Sequence, residues 1–373
     1  MSITALTYLD HNATTPMKPA VRDMYLEMLD FPGNASAIHK AGRAARRRIE
    51  ESRQKIAAAL RTGPRDVIVF TSGATEANNL ALKGAGMERV IVSATEHPSV
   101  LEVDVEKEIL PVDANGIADV GALDKMLEGN TRQTLISVML ANNETGVIQP
   151  IEDIVAIARK RGALVHTDAV QAFGKIPLDV QKLGADFYTL SAHKMGGPQG
   201  VGCLVIANCA PVTAQTKGGN QEKNMRAGTE NLAGICAFGL AAELADAESF
   251  QKLAVLRDKI ETAVTAAAPM VQIFGKNAPR LANTSMFSLA GASSETQLIA
   301  LDLAGICVSN GSACSSGTVK PSHVLKAMGA TDAAATSSLR VSLGWNTTEK
   351  EVDYFIAKWL EMFDRVKFRL ATA

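Results

Sequence analysis

Short apolar runs alternate with segments of helical periodicity between residues 66 and 161. Such alternation is typical of a mostly parallel sheet that helices cover on both faces, and it predicts an α/β fold. The predicted strands cover residues 67–70, 90–93 and 135–140. The predicted helices that follow them cover residues 76–83, 99–106 and 151–161.

Polar clusters follow the predicted strands, at the edge where ligands of such sheets bind. We therefore expect one binding site built from several strand ends. The clusters are Thr71-Ser72-Gly73-Ala74-Thr75, Thr95-Glu96-His97, Asn142-Asn143-Glu144-Thr145-Gly146, Asp168-Ala169-Val170-Gln171 and Ser191-Ala192-His193-Lys194.

Lys194 lies where the apolar run 186–190 meets a glycine-rich segment that ends at Gly200. A lysine at a strand end, with hydroxyl, imidazole and glycine neighbours, leaves room for a flat phosphorylated ligand. Its amine suits covalent attachment of an aldehyde cofactor. A surface lysine in a flexible loop is the competing interpretation, because one short motif often matches by chance.

Asp168 ends the run 163–168, which is predicted to be a buried strand, and favours the cofactor interpretation. A carboxylate at the end of a buried strand is costly unless it meets a positive partner, such as a protonated pyridinium nitrogen. An aspartate beside that nitrogen lets pyridoxal phosphate (PLP) accept charge from a substrate Cα. Gln171 can then donate to the phenolic oxygen of the same ring. Lys194 and Asp168 together predict a PLP site.

Two further strand-end groups have a functional and a structural interpretation. The small residues before the helix at Glu76 leave backbone N–H groups for a phosphate, although Ser72 or Thr75 could simply cap that helix. His97 precedes Pro98 and is a candidate to stack on the pyridine ring and move protons. An ordinary loop histidine is the commoner outcome.

The second reactive group is Cys314, in a run of glycine, serine and alanine that predicts a loop. The other cysteines lie among apolar or small residues and fit core positions, whereas an accessible thiol at position 314 suits nucleophilic or sulfur-carrying chemistry. Arg340 lies in an otherwise apolar predicted strand and needs an anion. A substrate carboxylate would meet that need, and so would a structural salt bridge.

The chain is predicted to form two units. Residues 231–267 are rich in alanine and leucine, and this composition predicts a helical connector to a smaller α+β unit. We place the large unit at residues 16–257 and the small unit at residues 1–15 and 258–373.

Composition limits the possible functions. Thirty-eight basic and 39 acidic residues give a net charge of −1, so no overall field attracts nucleic acid or anionic lipid. Five scattered cysteines without a C-x-x-C pair predict neither a disulfide framework nor a zinc site. No signal peptide or membrane span is evident, and a cytoplasmic protein is expected.

The motifs together resemble the cysteine desulfurases of the NifS/IscS type, which are PLP enzymes of the class-V aminotransferase group. The resemblance runs from Tyr8 to about Gly344. Its motifs are Asp10-His11-Asn12-Ala13-Thr14-Thr15, Ser72-Gly73-Ala74-Thr75-Glu76-Ala77-Asn78-Asn79, Asn142-Asn143-Glu144-Thr145-Gly146, Asp168-Ala169-Val170-Gln171, Ser191-Ala192-His193-Lys194, Arg226-Ala227-Gly228-Thr229-Glu230-Asn231 and Gly311-Ser312-Ala313-Cys314-Ser315-Ser316.

The resemblance implies fold type I, with a mostly parallel seven-stranded sheet between helices, and a role for each matching residue. Lys194 would bear the cofactor, with Asp168 at the ring nitrogen, Gln171 at the phenolic oxygen and His97 on the ring face. The substrate carboxylate would be held by Asn143 and Arg340. The phosphate would be held by Ala74, Thr75, Ser191 and His193, and by Thr229 from the other subunit of a homodimer.

The implied reaction converts L-cysteine to L-alanine and leaves the sulfur on Cys314 as a persulfide. An iron–sulfur scaffold protein would accept it, in general cluster assembly or in nitrogen fixation. No resident metal is expected, although Cys314 could transiently share a cluster with the scaffold. The alternatives are a selenocysteine lyase or another lyase on this scaffold, and a persulfide-carrying subunit without its own catalysis.

Overall fold

The computed structural model describes residues 6–310 and 321–370. The strands of this part of the chain are β1 (Thr7–Tyr8), β2 (Val67–Thr71), β3 (Arg89–Ser93), β4 (Lys107–Leu110), β5 (Thr134–Ser137), β6 (Leu164–Asp168), β7 (Phe187–Ser191), β8 (Gly202–Ile206), β9 (Gln272–Ile273), β10 (Thr284–Ser288), β11 (Ile306–Cys307) and β12 (Ser338–Ser342).

The helices of the same residues are α1 (Pro19–Leu29), α2 (Lys40–Leu60), α3 (Ala74–Gly84), α4 (Pro98–Leu101), α5 (Val120–Met126), α6 (Ile151–Lys160), α7 (Val180–Leu183), α8 (Leu232–Glu243), α9 (Ala247–Gln251), α10 (Leu253–Ala267), α11 (Ser294–Leu303), α12 (His323–Ala327), α13 (Asp332–Thr336) and α14 (Glu349–Leu370). None of the described helices is both long and apolar enough to cross a membrane.

A seven-stranded sheet in the order β2-β8-β7-β6-β5-β3-β4 forms the centre of the large unit. Its pairs from β7 through β6, β5 and β3 to β4 are parallel, whereas β8 runs antiparallel to β2 and β7. The predicted α/β class and the mostly parallel sheet are confirmed.

Strand geometry distributes the apolar residues of this sheet to two cores. Successive side chains of a strand point to opposite faces, so Ile68 and Phe70 join one core while Val69 joins the other. Helices α2, α6 and α8 cover the first face, and α3 covers the second. Because both faces are buried, β2 and β3 are apolar over most of their length, whereas β6 and β7 also carry buried polar residues.

The second unit has its own core. Strands β9 and β12 flank β10 in an antiparallel sheet, and α10, α11 and α14 pack against it. Trp359 is fully buried there, edge-on to Phe287 and stacked on Phe363. Leu9 belongs to this core, which supports the predicted grouping of residues 1–15 with the C-terminal unit. The division at residue 257 stays a prediction, and α10 spans it.

Two predicted helices differ from the structure. Residues 99–106 form only the short α4, which ends at Leu101, and the unpredicted edge strand β4 follows. The connector 231–267 is not continuous, because Asp246 caps α9 by accepting a hydrogen bond from the Ser249 N–H. An aspartate that bonds to the backbone in this way favours a helix start over a helix interior.

Candidate active site

A cavity of about 970 Å³ lies at the carboxyl ends of β2, β3, β5, β6 and β7. The N-terminal segment contributes Asn12 to its wall, and the second unit contributes Ser322 and Arg340. The predicted strand-end clusters thus meet at one cavity. The predicted site residues that line the cavity are Ala74, Thr75, His97, Asn143, Asp168, Gln171, Ser191, His193, Lys194 and Arg340.

Two predicted site residues are not placed in this cavity. Thr229 is exposed and is not among the lining residues of its own chain. Cys314 lies outside the described residues, as does the rest of its motif from Gly311 to Ser316.

The amine of Lys194 lies against the N-terminal segment. Lys194 ends a short 3-10 turn directly after β7, and its Nζ donates to the backbone carbonyls of Asn12 and Ala13, each at 2.6 Å. Burial and, to a lesser extent, the charge of Arg340 lower the pKa of Lys194 to about 8, although Asp10 and Asp168 oppose that shift. These contacts do not fit a solvated surface lysine.

Asp168 is buried at the end of β6 and lines the cavity. Its Oδ2 accepts from Asn78 Nδ2 at 2.9 Å, and its Oδ1 accepts from the Val170 N–H at 3.0 Å. The ion pairs of the described residues do not include Asp168. A buried carboxylate that has hydrogen bonds but no cationic partner can receive a positively charged group from the cavity.

The start of α3 offers backbone donors to the cavity. Gly73 is its N-cap residue and provides no side-chain hydrogen bond, so neither Ser72 nor Thr75 caps the helix as the structural interpretation required. The first N–H groups of a helix lack intrahelical acceptors and attract anions. Ser191 and His193 line the same cavity, and burial together with Lys194 lowers the pKa of His193 to about 4.

His97 is linked to Asp168 through two other side chains. The Ser99 N–H donates to His97 Nδ1 at 3.0 Å, so the neutral ring carries its proton on Nε2. Asn78 Nδ2 donates both to Ser99 Oγ, at 2.8 Å, and to Asp168. Burial, Lys194 and His323 lower the pKa of His97, whereas Asp168 raises it. Sequence reasoning missed Asn78, although it is part of a quoted motif.

Gln171 belongs to a buried network that sequence reasoning missed. Its Nε2 donates to the Asn12 carbonyl at 2.9 Å, and its Oε1 accepts from Lys175 Nζ at 2.7 Å. Lys175 also donates to Asn12 Oδ1, at 2.9 Å. The only sequence signal was that Asn12 lies in a polar segment and Lys175 lies close after Asp168.

Arg340 extends from β12 of the second unit to the cavity. Its Nη2 pairs with Asp10 Oδ1 at 2.6 Å, and its Nη1 donates to the Asn143 carbonyl at 3.1 Å. Among residues 6–310 and 321–370, the buried Nε has no hydrogen-bond partner. The predicted structural salt bridge is therefore present, and beside it is a guanidinium N–H that the described residues leave without an acceptor.

Two buried acids that were not predicted as site residues flank the cavity. Glu144 Oε2 accepts from Ser322 Oγ at 2.5 Å, and burial raises the pKa of Glu144 to about 7 against the influence of Arg340. Glu96 accepts from the Met139 N–H, and burial raises its pKa well above the ordinary value. Both lie in the polar strand-end clusters, so their position could have identified them.

These residues fit PLP, because each part of the cofactor has a complementary group in the same cavity. An amine with a lowered pKa suits the aldehyde, a carboxylate without an ion-pair partner suits the ring nitrogen, and a helix start without a side-chain cap suits the phosphate.

Comparison with known proteins extends this similarity to nearly the whole chain. The family model of aminotransferase class-V matches residues 7–355. The cysteine desulfurase IscS of Dictyoglomus turgidum is 42% identical, over 98% of this chain and 95% of the relative. A NifS-like protein from Rickettsia africae superposes with a TM-score of 0.90 and 36% identity, over 96% of this chain and 99% of that one.

A structure of SspA in complex with cysteine has a TM-score of 0.79 and 30% identity, over 90% of this chain and 98% of that one. The matches include both units and every described strand end that lines the cavity. So extensive a similarity is more than a shared fold, and the chain belongs to the class-V aminotransferase family of PLP-dependent enzymes, in its NifS/IscS-type group.

Proposed function

We propose that the protein is a cysteine desulfurase that converts L-cysteine to L-alanine and delivers the sulfur to an acceptor protein. The observation that carries this proposal is one cavity in which Lys194, Asp168 and Arg340 converge. These groups supply an amine for the cofactor, an acid for its ring and a cation for the substrate carboxylate. Relatives that are named cysteine desulfurases support the choice of substrate.

Each part of the cofactor has a proposed partner. Asp168 holds the ring nitrogen, Gln171 the phenolic oxygen and His97 the ring face. Lys194 attaches the cofactor. The residues proposed to hold the cofactor phosphate are Ala74, Thr75, Ser191 and His193. When bound, PLP supplies an electron-poor ring that takes up charge from the substrate Cα.

The protein's own residues orient the substrate and move its protons. Arg340 and Asn143 hold the carboxylate, for which the Nε–H of Arg340 is a donor that the described part of the chain leaves without an acceptor. Lys194 removes the Cα proton, and its pKa of about 8 allows a neutral amine to act as base near neutral pH. The network of Asn78 and Ser99 keeps His97 beside Asp168, with a proton on Nε2 to donate.

Sulfur transfer is proposed for Cys314, whose role rests on the sequence motif. Its thiolate attacks the substrate sulfur, the carbon–sulfur bond breaks and a sulfur–sulfur bond forms. L-Cysteine and the Cys314 thiol thus yield L-alanine and a Cys314 persulfide, with the displaced proton returned to the alanine. An iron–sulfur scaffold protein is the proposed acceptor, in general cluster assembly or in nitrogen fixation.

We also propose a homodimer in which Thr229 completes the phosphate site of the partner subunit. Its exposure, outside the cavity of its own chain, supports this arrangement. The described cysteines Cys203, Cys209, Cys236 and Cys307 carry free thiols. Free thiols are the state expected in a reducing compartment, and they support a cytoplasmic location.

The test combines product analysis with peptide mass spectrometry. The holoenzyme incubated with L-cysteine should form L-alanine and add one sulfur to the peptide that contains Cys314. The Cys314→Ala variant should lose persulfide and alanine formation, whereas the control variant Cys209→Ala, which removes an exposed thiol, should keep both.

Undiminished sulfur release by Cys314→Ala would contradict the proposal and favour the selenocysteine lyase interpretation. A wild-type protein that binds no PLP after reconstitution would favour a carrier subunit without its own catalysis.

A further inference from the structure

Lys175 is a buried amine outside the set of residues that the proposed reaction uses. It is 2% exposed, and it lines a smaller pocket beside the main cavity, of which it is not a lining residue. Its Nζ donates to Asn12 Oδ1 and Gln171 Oε1, and it lies 5.9 Å from the centre of the Phe250 ring. Both hydrogen-bond partners are neutral amide oxygens, so this lysine is not part of an ordinary salt bridge.

Lys175 and the Asn12 carbonyl together determine which way the Gln171 amide faces. Lys175 Nζ donates to Gln171 Oε1 and the Asn12 carbonyl can only accept, so both contacts turn the oxygen of Gln171 toward Lys175 and its NH₂ group toward Asn12. One N–H of that group bonds to the Asn12 carbonyl. The second has no acceptor among the described residues, and Gln171 lines the cavity.

We propose that Lys175 is a positioning residue that, with the Asn12 carbonyl, locks the amide of Gln171 with its N–H donor toward the cofactor oxygen. This inference deepens the proposed function and rests on it. Without Lys175, only the Asn12 carbonyl opposes rotation of the amide by half a turn, and the rotated amide would present a carbonyl oxygen that repels the negatively charged ring oxygen.

The local charges support a role at the cofactor. Burial lowers the pKa of Lys175 well below its usual value, and repulsion from Lys194 and Arg340 adds to this effect. Lys175 in turn helps burial to lower the pKa of His11 to about 4. Asp10 and Asp168 are the acids that act on Lys194 in the same region. Lys175 thus belongs to the electrostatic environment of the Lys194 amine.

The consequence is a predictable change in the pKa of the lysine-bound cofactor. An N–H donor stabilises negative charge on the ring oxygen, and that charge is most localised when the nitrogen linking Lys194 to the cofactor is deprotonated. The donor therefore lowers the pKa of that nitrogen. Losing the lock should raise this pKa by about one unit, the size expected for one charge-assisted hydrogen bond.

The experiment follows the visible absorbance of the holoenzyme as a function of pH in the absence of cysteine. Lys175→Met should move the midpoint upward by about one pH unit. Lys18→Met is the matched control, since Lys18 lines the same smaller pocket but donates to the Leu244 carbonyl. Its midpoint should stay at the wild-type value.

A double-mutant cycle separates positioning from a direct charge effect. If Lys175 acts through Gln171, then Lys175→Met should cause no further shift in a Gln171→Ala background. An unchanged midpoint in Lys175→Met, or an equal shift in both backgrounds, would overturn the inference.

Thermal unfolding of the apoprotein checks that the variants fold. If Lys175→Met does not fold, Lys175→Gln, which retains an N–H donor, carries the test and should give a smaller upward shift. If wild-type protein shows no visible band with PLP, the proposed function fails first, so the two failures are distinguishable.

Discussion

At the scale of single residues, the Asn78 side chain is the bridge on which the orientation of Asp168 depends. Asn78→Ala removes one of the two hydrogen bonds to the carboxylate and the link to Ser99. We expect kcat/KM for cysteine to fall by roughly tenfold, the effect of about 1.4 kcal/mol on the reaction barrier. Steady-state kinetics measures it.

The neighbouring Asn79→Ala is the control for this variant. Asn79 is on the same helix and bonds to the Thr75 carbonyl, away from Asp168. Equal losses in both variants would mean that Asn78 acts only through the stability of α3.

The contribution of Glu144 to the stability of the protein should change with pH in the opposite direction to that of an ordinary surface carboxylate. Its native pKa is about 7 and its ordinary value is 4.5, so the native state holds the proton more tightly than the unfolded state. Its stabilising contribution is complete below about pH 4.5 and is lost as the pH rises through about 7. Glu144→Gln stays neutral and keeps an acceptor for Ser322.

The difference in unfolding free energy between Glu144→Gln and wild type should therefore change in favour of the variant by roughly 2 kcal/mol when the pH is raised from 5 to 8. Urea unfolding at both pH values measures this difference. The exposed Glu128→Gln should show none. A difference that is constant with pH would show that Glu144 ionises in the native protein as it does in the unfolded chain.

At the scale of elements, β8 and the turn before α3 are packed too closely for any side chain between them. A Cβ at Gly202 would lie 2.6 Å from the Leu190 carbonyl oxygen and 2.8 Å from the Gly73 carbonyl carbon. Gly202→Ala should destabilise the protein by about 1–3 kcal/mol and displace the proposed phosphate turn. Thermal unfolding and PLP titration should report a lower Tm and a higher Kd.

Gly121→Ala, in the first turn of α5, provides the comparison for Gly202→Ala. Its nearest neighbour would be an aspartate oxygen at 3.3 Å, and it lies far in sequence from the cavity residues. A normal PLP affinity in Gly202→Ala would separate the packing of β8 from cofactor binding.

The strands and helices that the sequence predicted correctly share a simple cause. Mainly apolar runs between turn residues identified β2, β3 and β7, because strands buried on both faces admit few polar residues. The run that ends at Asp168 identified β6. Edge strand β4 was missed because its residues are half polar, and β8 because only a short 3-10 turn, and no α-helix, separates it from β7. Strand ends thus gave the location of the site but not its whole wall.

At the scale of the whole molecule, residues distant in sequence complete the site. Lys194 and Asp168 could be predicted because strand ends of one parallel sheet must meet. Asn12 and Lys175 could not, because their contacts depend on how the N-terminal segment lies between the two units. No local pattern encodes that packing.

The proposed dimer predicts complementation between two inactive variants. Lys194→Ala removes the reactive amine, and Thr229→Glu places a negative charge where the phosphate of the partner's cofactor should bind. In a mixed dimer, the site that keeps Lys194 would receive an intact Thr229 from the other chain. Random exchange in an equal mixture makes about half of the dimers mixed, and each mixed dimer has one intact site of two, so mixing should restore up to about a quarter of the activity of the same amount of wild-type protein. Activity no greater than the sum of the separate variants would contradict a shared site.

The hydrogen bonds of Asn12 have a consequence for how the protein is made. This residue leaves the ribosome early, yet its backbone N–H bonds to Ser342 and its side chain bonds to Asn283 and Thr284. Translation must therefore pass residue 342 before the carbonyl that receives Lys194 and Gln171 is fixed in place. A nascent chain that stalls earlier can fold its central sheet but holds an unfinished catalytic cavity.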